Sequence, residues 1–508
     1  MKQGKDRCIN MLHPTNFREK QKAAILHQLY EDHSMLWLNC GFGKTVATLT
    51  SIEHRMRAGQ VKKTIVFGPV RVIHDVWERE SRKWSHLDHL RFSIIGWPTE
   101  KKRRKGLNTD ADVYLCNYEN MGWLSTVLWR EYIQKGLEIP FQFAVYDEIT
   151  QGKNSTSLRV AGGNRKRVYN KGLANEIKKN IYTAGWRKII PYIKYTTGLT
   201  GTPAGNGYLD LHGQYLLIDN GERLGTHKTG YEEAYFTTGY NGYTKEITKL
   251  GKAWIEQKIS DITIQMESGG DEEIFCNDIM VDLPPKVMEQ YEQVEKDMYT
   301  VLDNGSEIEL FNRASVSNKC LQMASGAPYV APNEPEWYEV HDEKLQALDS
   351  VIEETHGRTL LLGYNFRSDA ERIMKRYKAL SPINLTATKP EDFTKILALG
   401  NAGKVRLMIG HPKSLGHGVD GLNDFCWDIC WFGLPWSLEG YMQLIGRIAA
   451  GELYTRPVNM HRILARGTLD LAVSDALSRK DGDQNGLRRS IQRHRDGLLS
   501  PDGVPCFM

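Results

Sequence analysis

The sequence predicts an α/β protein built as two lobes, each a parallel sheet with flanking helices, with a helical insertion between them. Three observations carry this expectation. Strand-like apolar runs alternate with amphipathic stretches from about residue 25 to 218, a charged and mainly helical pattern follows, and the alternation returns after Lys344. A chain of 508 residues is also longer than one hydrophobic core serves, so division into separate units is expected.

The first lobe is assigned to residues 1–225. Its candidate strands include Met35-Leu36-Trp37-Leu38, Thr64-Ile65-Val66-Phe67, Val113-Tyr114-Leu115-Cys116 and Phe143-Ala144-Val145-Tyr146. Residues 226–340 read as the helical insertion or linker, interrupted by Leu283-Pro284-Pro285 and containing an acidic amphipathic stretch from Val287 to Leu302. Its Trp254, Tyr291 and Phe311 sit among apolar neighbours and read as core rather than as base-stacking residues. The second lobe, 341–480, offers Thr359-Leu360-Leu361-Leu362, Val405-Arg406-Leu407-Met408-Ile409 and Ile429-Cys430-Trp431-Phe432 as buried strands. Residues 481–508, rich in Gly, Asp, Arg and Ser, read as a polar basic tail.

Composition narrows the class. The 66 basic and 62 acidic residues nearly cancel, so overall charge alone does not announce a polyanionic partner. Basic clusters at 101–105, at Arg165-Lys166-Arg167 and at Arg488-Arg489 permit phosphate contacts, although each also reads as a solvated face. No apolar run reaches bilayer length, and Met1–Arg7 precedes no secretory apolar segment, so a cytoplasmic protein without membrane association is expected. Eight dispersed cysteines read as buried thiols: the close pair Cys426 and Cys430 has the wrong spacing for zinc and lacks a second pair. His411 and His417 likewise lack further ligands at suitable spacing.

The chemistry concentrates at two strand ends. After Met35–Leu38, the turn Asn39-Cys40-Gly41-Phe42-Gly43 leads into a helix beginning Lys44-Thr45. Gly41 and Gly43 allow backbone N–H groups to face phosphates, Lys44 reaches β- and γ-phosphates, and Thr45 offers its hydroxyl to Mg2+. Leu38 stands where the longer P-loop pattern has its first glycine, and a glycine turn without a ligand reads the same way. Downstream, Phe143–Tyr146 delivers Asp147 and Glu148 to a strand's C-terminal end, where open α/β sheets bind ligands. Asp147 suits Mg2+, and Glu148 suits orientation or deprotonation of an attacking water; a loop cap is the plainer reading of such a pair.

The order of the remaining segments resembles helicase superfamily 2, specifically its Swi/Snf-type branch, from Phe17 to about Leu477. Phe17-Arg18-Glu19-Lys20-Gln21 is similar to the family's adenine-reading element, Gly68-Pro69-Val70-Arg71 to Trp77 to motif Ia, and Asn117-Tyr118-Glu119 to the next strand-binding segment. Leu199-Thr200-Gly201-Thr202-Pro203 is similar to motif III, Tyr364-Asn365-Phe366 to motif IV and Ser414-Leu415-Gly416-His417-Gly418-Val419-Asp420 to motif V. Gln443, Gly446 and Arg447 resemble motif VI. The compact length is most like the small bacteriophage or mobile-element members, which implies a bacterial or phage-infected host cytosol.

The resemblance implies two RecA-like lobes and an ATP- and Mg2+-dependent translocase or helicase acting on duplex or branched DNA through sequence-independent phosphate contacts. It assigns Lys44, Asp147, Glu148, Gln443 and Arg447 to catalysis, and Arg18, Gln21, Gly41, Phe42, Gly43, Lys44, Thr45, Gly418, Asp420 and Arg447 to the nucleotide. Thr45 and Asp147 would hold the metal. Pro69, Arg71, Asn117, Tyr118, Thr200, Thr202, Asn365, Ser414 and His417 would contact DNA. The output, whether strand separation, branch migration or displacement of bound proteins, is not implied, nor is any protein partner.

One departure stands out. The family's motif VI carries a second arginine where this chain has Ala450. Weakened hydrolysis would follow; the change reads as a natural weakening, as one rescued by a nearby residue such as Arg456, or as a deliberate arginine-to-alanine substitution. A non-catalytic, ATP-regulated DNA clamp and an RNA helicase are the alternatives. A nucleotide kinase also pairs a P-loop with an acidic residue, but needs no Leu199–Pro203, Gln443 and Arg447 in this order.

Overall fold

Two all-parallel sheets organise the protein, and each forms because its strands are apolar on both faces. The computed structural model describes residues 11–38, 42–152, 154, 157, 160–167, 179–205, 207–238, 245–266, 274–302, 317–331, 335–415, 421–449 and 457–482. The chain divides into two units at Glu267 and Ser268, the second running to Gly482.

In chain order the strands are β1 (His33–Leu38), β2 (Thr64–Gly68), β3 (Phe92–Ile94), β4 (Val113–Asn117), β5 (Phe143–Asp147), β6 (Gly163–Arg167), β7 (Lys179–Thr183), β8 (Tyr195–Thr200), β9 (Phe236–Thr238), β10 (Lys245–Ile247) and β11 (Thr263–Met266). They are followed by β12 (Ile274–Val281), β13 (Thr359–Gly363), β14 (Ile383–Asn384), β15 (Leu407–Gly410), β16 (Cys426–Trp431) and β17 (Val458–Ala465). The first sheet has the order β11-β1-β8-β5-β2-β4-β3 and the second β12-β17-β16-β13-β15-β14. The β6–β7 and β9–β10 pairs are separate antiparallel ribbons.

Alternation of side chains explains the layering. Met35, Trp37, Ile65, Phe67, Ala144 and Tyr146 enter the core on one face of the first sheet. Their neighbours Leu36, Leu38, Val66, Phe143 and Val145 pack on the other, against Leu49 and Ile52 of a helix. The second sheet repeats the device, with Leu361, Met408 and Ile429 in one cluster and Leu360, Leu362, Ile409 and Cys430 in the other. Each fully buried Val, Leu, Ile, Phe or Met side chain among these contributes about 1.5–3 kcal/mol. Because these runs are buried on both faces, they read in the sequence as continuous apolar segments rather than as alternating ones.

The stretch 226–340 is not one helical insertion. Its β11 pairs in parallel with β1 and widens the first sheet, whereas its β12 pairs over eight residues with β17 and opens the second. Helices do occupy part of it, notably Lys249–Ser260 and Pro285–Leu302. Tyr291 is core, but Trp254 is 54% exposed, contrary to the core role its neighbours suggested. Phe311 and the tail beyond Gly482 lie outside the described residues. Cys116, Cys320, Cys426 and Cys430 are free and buried, and Cys276 is free and exposed.

Candidate functional site

The first sheet gathers its polar chemistry at one edge. Helix α1 (Glu19–Tyr30) precedes β1, and α2 (Lys44–Arg57) follows it. Parallel pairing sets Trp37 of β1 beside Thr200 of β8, and Leu199 of β8 beside Asp147 of β5. The C-terminal ends of three adjacent strands therefore release Phe42-Gly43-Lys44, Gly201-Thr202 and Glu148 on the same side.

Local geometry fixes each group. Gly43 caps α2 at φ 74°, in the left-handed region that glycine enters without a Cβ penalty. Lys44 Nζ donates to the Leu38 carbonyl at 2.8 Å, which holds the ammonium over the end of β1. Thr45 is half-buried in the first turn of α2, where unpaired N–H groups and the helix dipole favour an anion. Gln21 is buried; its Oε1 accepts from the Arg18 N–H at 3.0 Å, closing the start of α1, and its amide lies against Gly43. Phe42 is buried, with the Lys20 ammonium over its ring.

Asp147 and Glu148 are both buried. Burial, and then the neighbouring Glu148 charge, push the Asp147 carboxyl up to about 6, while the Lys44 ammonium and the Trp77 indole pull the other way. Trp77 Nε1 donates to Asp147 Oδ2 at 3.0 Å, and the Tyr118 hydroxyl donates to the Asp147 main-chain carbonyl at 3.1 Å. Glu148 adopts φ 52°, an uncommon conformation for a residue with a Cβ. Its Oε2 is buried with no hydrogen-bond partner among the described residues. Two adjacent buried carboxylates, one carrying an unpartnered oxygen, are the donor chemistry a hard divalent cation and its bound water require.

Beside them, the Thr202 N–H donates to Thr200 Oγ1 at 3.0 Å, and the Thr202 hydroxyl is buried without a partner among the described residues. Gly68 of β2 pairs with Asn117 of β4, so Pro69 and Tyr118 leave from the same edge. Tyr118 and Thr200 are completely buried, and their hydroxyls brace Asp147 and Thr202. Pro69 caps the short helix α3 (Val70–Asp75), which includes Arg71, and Asn117 is buried with its Nδ2 donating to Glu119. Trp77 was legible only as part of a motif; nothing in the sequence pairs its indole with Asp147.

The second sheet repeats the arrangement. Gly363 of β13 pairs with both Gly410 and Trp431, so the segments after β13, β15 and β16 leave from one edge. Asn365 Nδ2 donates to the Leu434 carbonyl at 2.6 Å, Ser414 is half-buried, and Gln443 is buried with its amide on Glu439 Oε1 at 3.3 Å. Arg447 Nε donates to the Leu415 carbonyl at 3.1 Å. Gly41, His417, Gly418, Asp420, Ala450 and Arg456 lie outside the described residues.

A family model described as SNF2-related domain matches residues 19–167, the span holding Gln21, Lys44 and the Asp147–Glu148 pair. Protein p41 of Acyrthosiphon pisum secondary endosymbiont phage 1 is 34% identical over 499 residues, covering 94% of this chain and 98% of p41. The chain belongs to the SNF2-related family. Two solved structures of this SNF2 class, both from Sulfolobus solfataricus, are similar at 18% identity. One is the SWI2/SNF2 ATPase core in complex with dsDNA (TM-score 0.39, covering 94% of this chain and 96% of that one). The other is the SWI2/SNF2 ATPase core domain (TM-score 0.37, covering 96% and 91%). Within the SNF2-related match, the first described element is α1, starting at Glu19, and the last is β6, ending at Arg167.

Proposed function

We propose that this SNF2-family core is an ATP-driven translocase on double-stranded or branched DNA. The observation that carries the reading is Glu148: a buried carboxylate with an unpartnered oxygen, held at positive φ next to Asp147 on the strand edge that also presents Lys44. Storing such backbone strain costs about 1–3 kcal/mol, and it concentrates where function over-determines the geometry.

In this mechanism Lys44 and the first N–H groups of α2 hold the β- and γ-phosphates, and Gln21 with Arg18 recognises the adenine. Thr45 and Asp147 would hold Mg2+, which supplies charge neutralisation to the triphosphate. Glu148 orients a water and accepts its proton as the water oxygen bonds the γ-phosphorus. The bond from that phosphorus to the bridging oxygen breaks, leaving ADP and phosphate. The family resemblance assigns catalytic roles to Gln443 and Arg447 through motif VI, and the segments after β2, β4 and β8 respond to the DNA backbone. Phosphate contacts suit a motor indifferent to base sequence.

Steady-state ATPase assays with single-stranded, double-stranded, forked and four-way DNA, and with RNA, test the reading. Double-stranded or branched DNA should stimulate most, and DNA affinity should fall steeply with salt. Preferential stimulation by RNA would replace the reading with an RNA helicase. Ala450 favours a second reading, an ATP-regulated clamp without useful turnover. Single-turnover hydrolysis with and without duplex separates it from the motor, because a clamp binds ATP and shows no duplex-dependent cleavage.

A further inference from the structure

We propose that Trp77 is a positioning residue for this hydrolytic site: its indole N–H fixes the direction of the Asp147 carboxylate and ties it to the segment that follows Pro69. The inference rests on the reading of Asp147 as the cation-holding carboxylate.

An indole N–H is a donor with no acceptor capacity, so its 3.0 Å bond to Oδ2 has one polarity and arrests rotation of the carboxylate. The bland alternative is that a buried tryptophan merely needs a partner. This fold does not impose that need: the Nε1 atoms of Trp37 and Trp431, on equally buried side chains, have no hydrogen-bond partner among the described residues. Trp77 alone of these three reaches a carboxylate, and that carboxylate stands at the candidate site.

A second tether meets the same residue. The Tyr118 hydroxyl donates to the Asp147 carbonyl, so side chain and main chain are each held by an aromatic group from a different segment. Trp77 opens the helix after α3, which follows β2, and Tyr118 directly follows β4. Both segments leave the strand edge where the resemblance places DNA contacts. Movement of either segment therefore reaches Asp147 through one hydrogen bond, a direct route for duplex to alter cation affinity. Outer partners of metal ligands are commonly worth about 10–100-fold in metal affinity or activity.

The test is Mg2+ titration of fluorescent-ADP binding to the full chain, with thermal melting in parallel. Trp77→Phe keeps an aromatic ring and removes the N–H; Tyr118→Phe removes only the hydroxyl. The inference predicts that Trp77→Phe raises the half-saturating Mg2+ concentration about tenfold while metal-free nucleotide affinity stays within about twofold. Trp77→Phe with a cooperative melt and an Mg2+ titration matching the parent would overturn it. If Trp77→Phe does not fold, Tyr118→Phe decides: a severalfold Mg2+ shift supports the tether, and an unchanged titration overturns it. Nucleotide binding by the parent that ignores Mg2+ would instead overturn the reading of Asp147, and this inference with it.

Discussion

The amide of Gln21 occupies the space that a β-carbon on Gly43 would take. The first turn of α1 and the cap of α2 are thereby packed into one unit, with Gly43 confined to glycine by both space and its positive φ.

Gly43→Ala must therefore adopt a strained backbone and displace Gln21. We expect at least a tenfold loss of ATP affinity, measured by fluorescent-nucleotide titration, with a modest loss of stability of about 1 kcal/mol. Affinity within twofold of the parent would separate the Gln21–Gly43 contact from nucleotide recognition.

Arg55 locks the same layer at its far end. Its Nη2 donates to the carbonyls of Gln28 at 2.8 Å and Glu31 at 3.0 Å, and its guanidinium lies 3.7 Å from the Tyr195 ring centre. Burial holds its pKa below the usual arginine value. Arg55→Ala leaves the α1 carbonyls without this donor and should lower unfolding free energy by about 2–4 kcal/mol in urea denaturation. Arg55→Lys should recover little, since a single ammonium cannot reproduce the fork.

Asp369 gives a pH signature in the second unit. It is fully buried at the start of the helix Arg367–Arg376, where Oδ2 accepts from the Phe366 N–H at 3.0 Å and Oδ1 has no partner among the described residues. Burial raises its carboxyl to about 6, against the Phe366 N–H and the Lys344 and Arg372 charges. The native state then keeps a proton that the unfolded chain releases near pH ~4, so stability falls as pH rises from about 4 to 6 and the deficit persists above. Asp369→Asn should flatten that segment of the stability profile and raise stability at pH 7 by about 1 kcal/mol or more. An unchanged profile would assign the slope elsewhere.

Much of this fold was legible because buried parallel strands need continuous apolar runs. Thr64–Phe67, Val113–Cys116, Phe143–Tyr146 and Thr359–Leu362 all became strands, and Lys44 opens a helix as the glycine turn implied. Residues 226–340 were less legible because periodicity reports an element's faces, not its pairing partner; β11 and β12 differ in which sheet they join, and no local signal says so. Trp254 misled because apolar sequence neighbours need not be spatial neighbours on a helix. Tyr118 and Trp77 illustrate the same limit at the site: sequence placed both in motifs, but only tertiary packing turns them toward Asp147.

Ala450 stands where the family resemblance places a second motif VI arginine. Ala450→Arg should raise DNA-stimulated ATPase by at least about tenfold, because an arginine on the γ-phosphate stabilises the charge of the transition state. No gain at saturating ATP and DNA would mean that Arg447 or another residue already supplies that charge.

Duplex-stimulated ATP hydrolysis by Glu148→Gln, set beside its equilibrium ATP binding, addresses the central claim most directly. Loss of turnover by at least about a hundredfold with ATP affinity kept within severalfold is the predicted result. Turnover equal to that of the parent would contradict the assignment of this carboxylate, and with it the proposed motor.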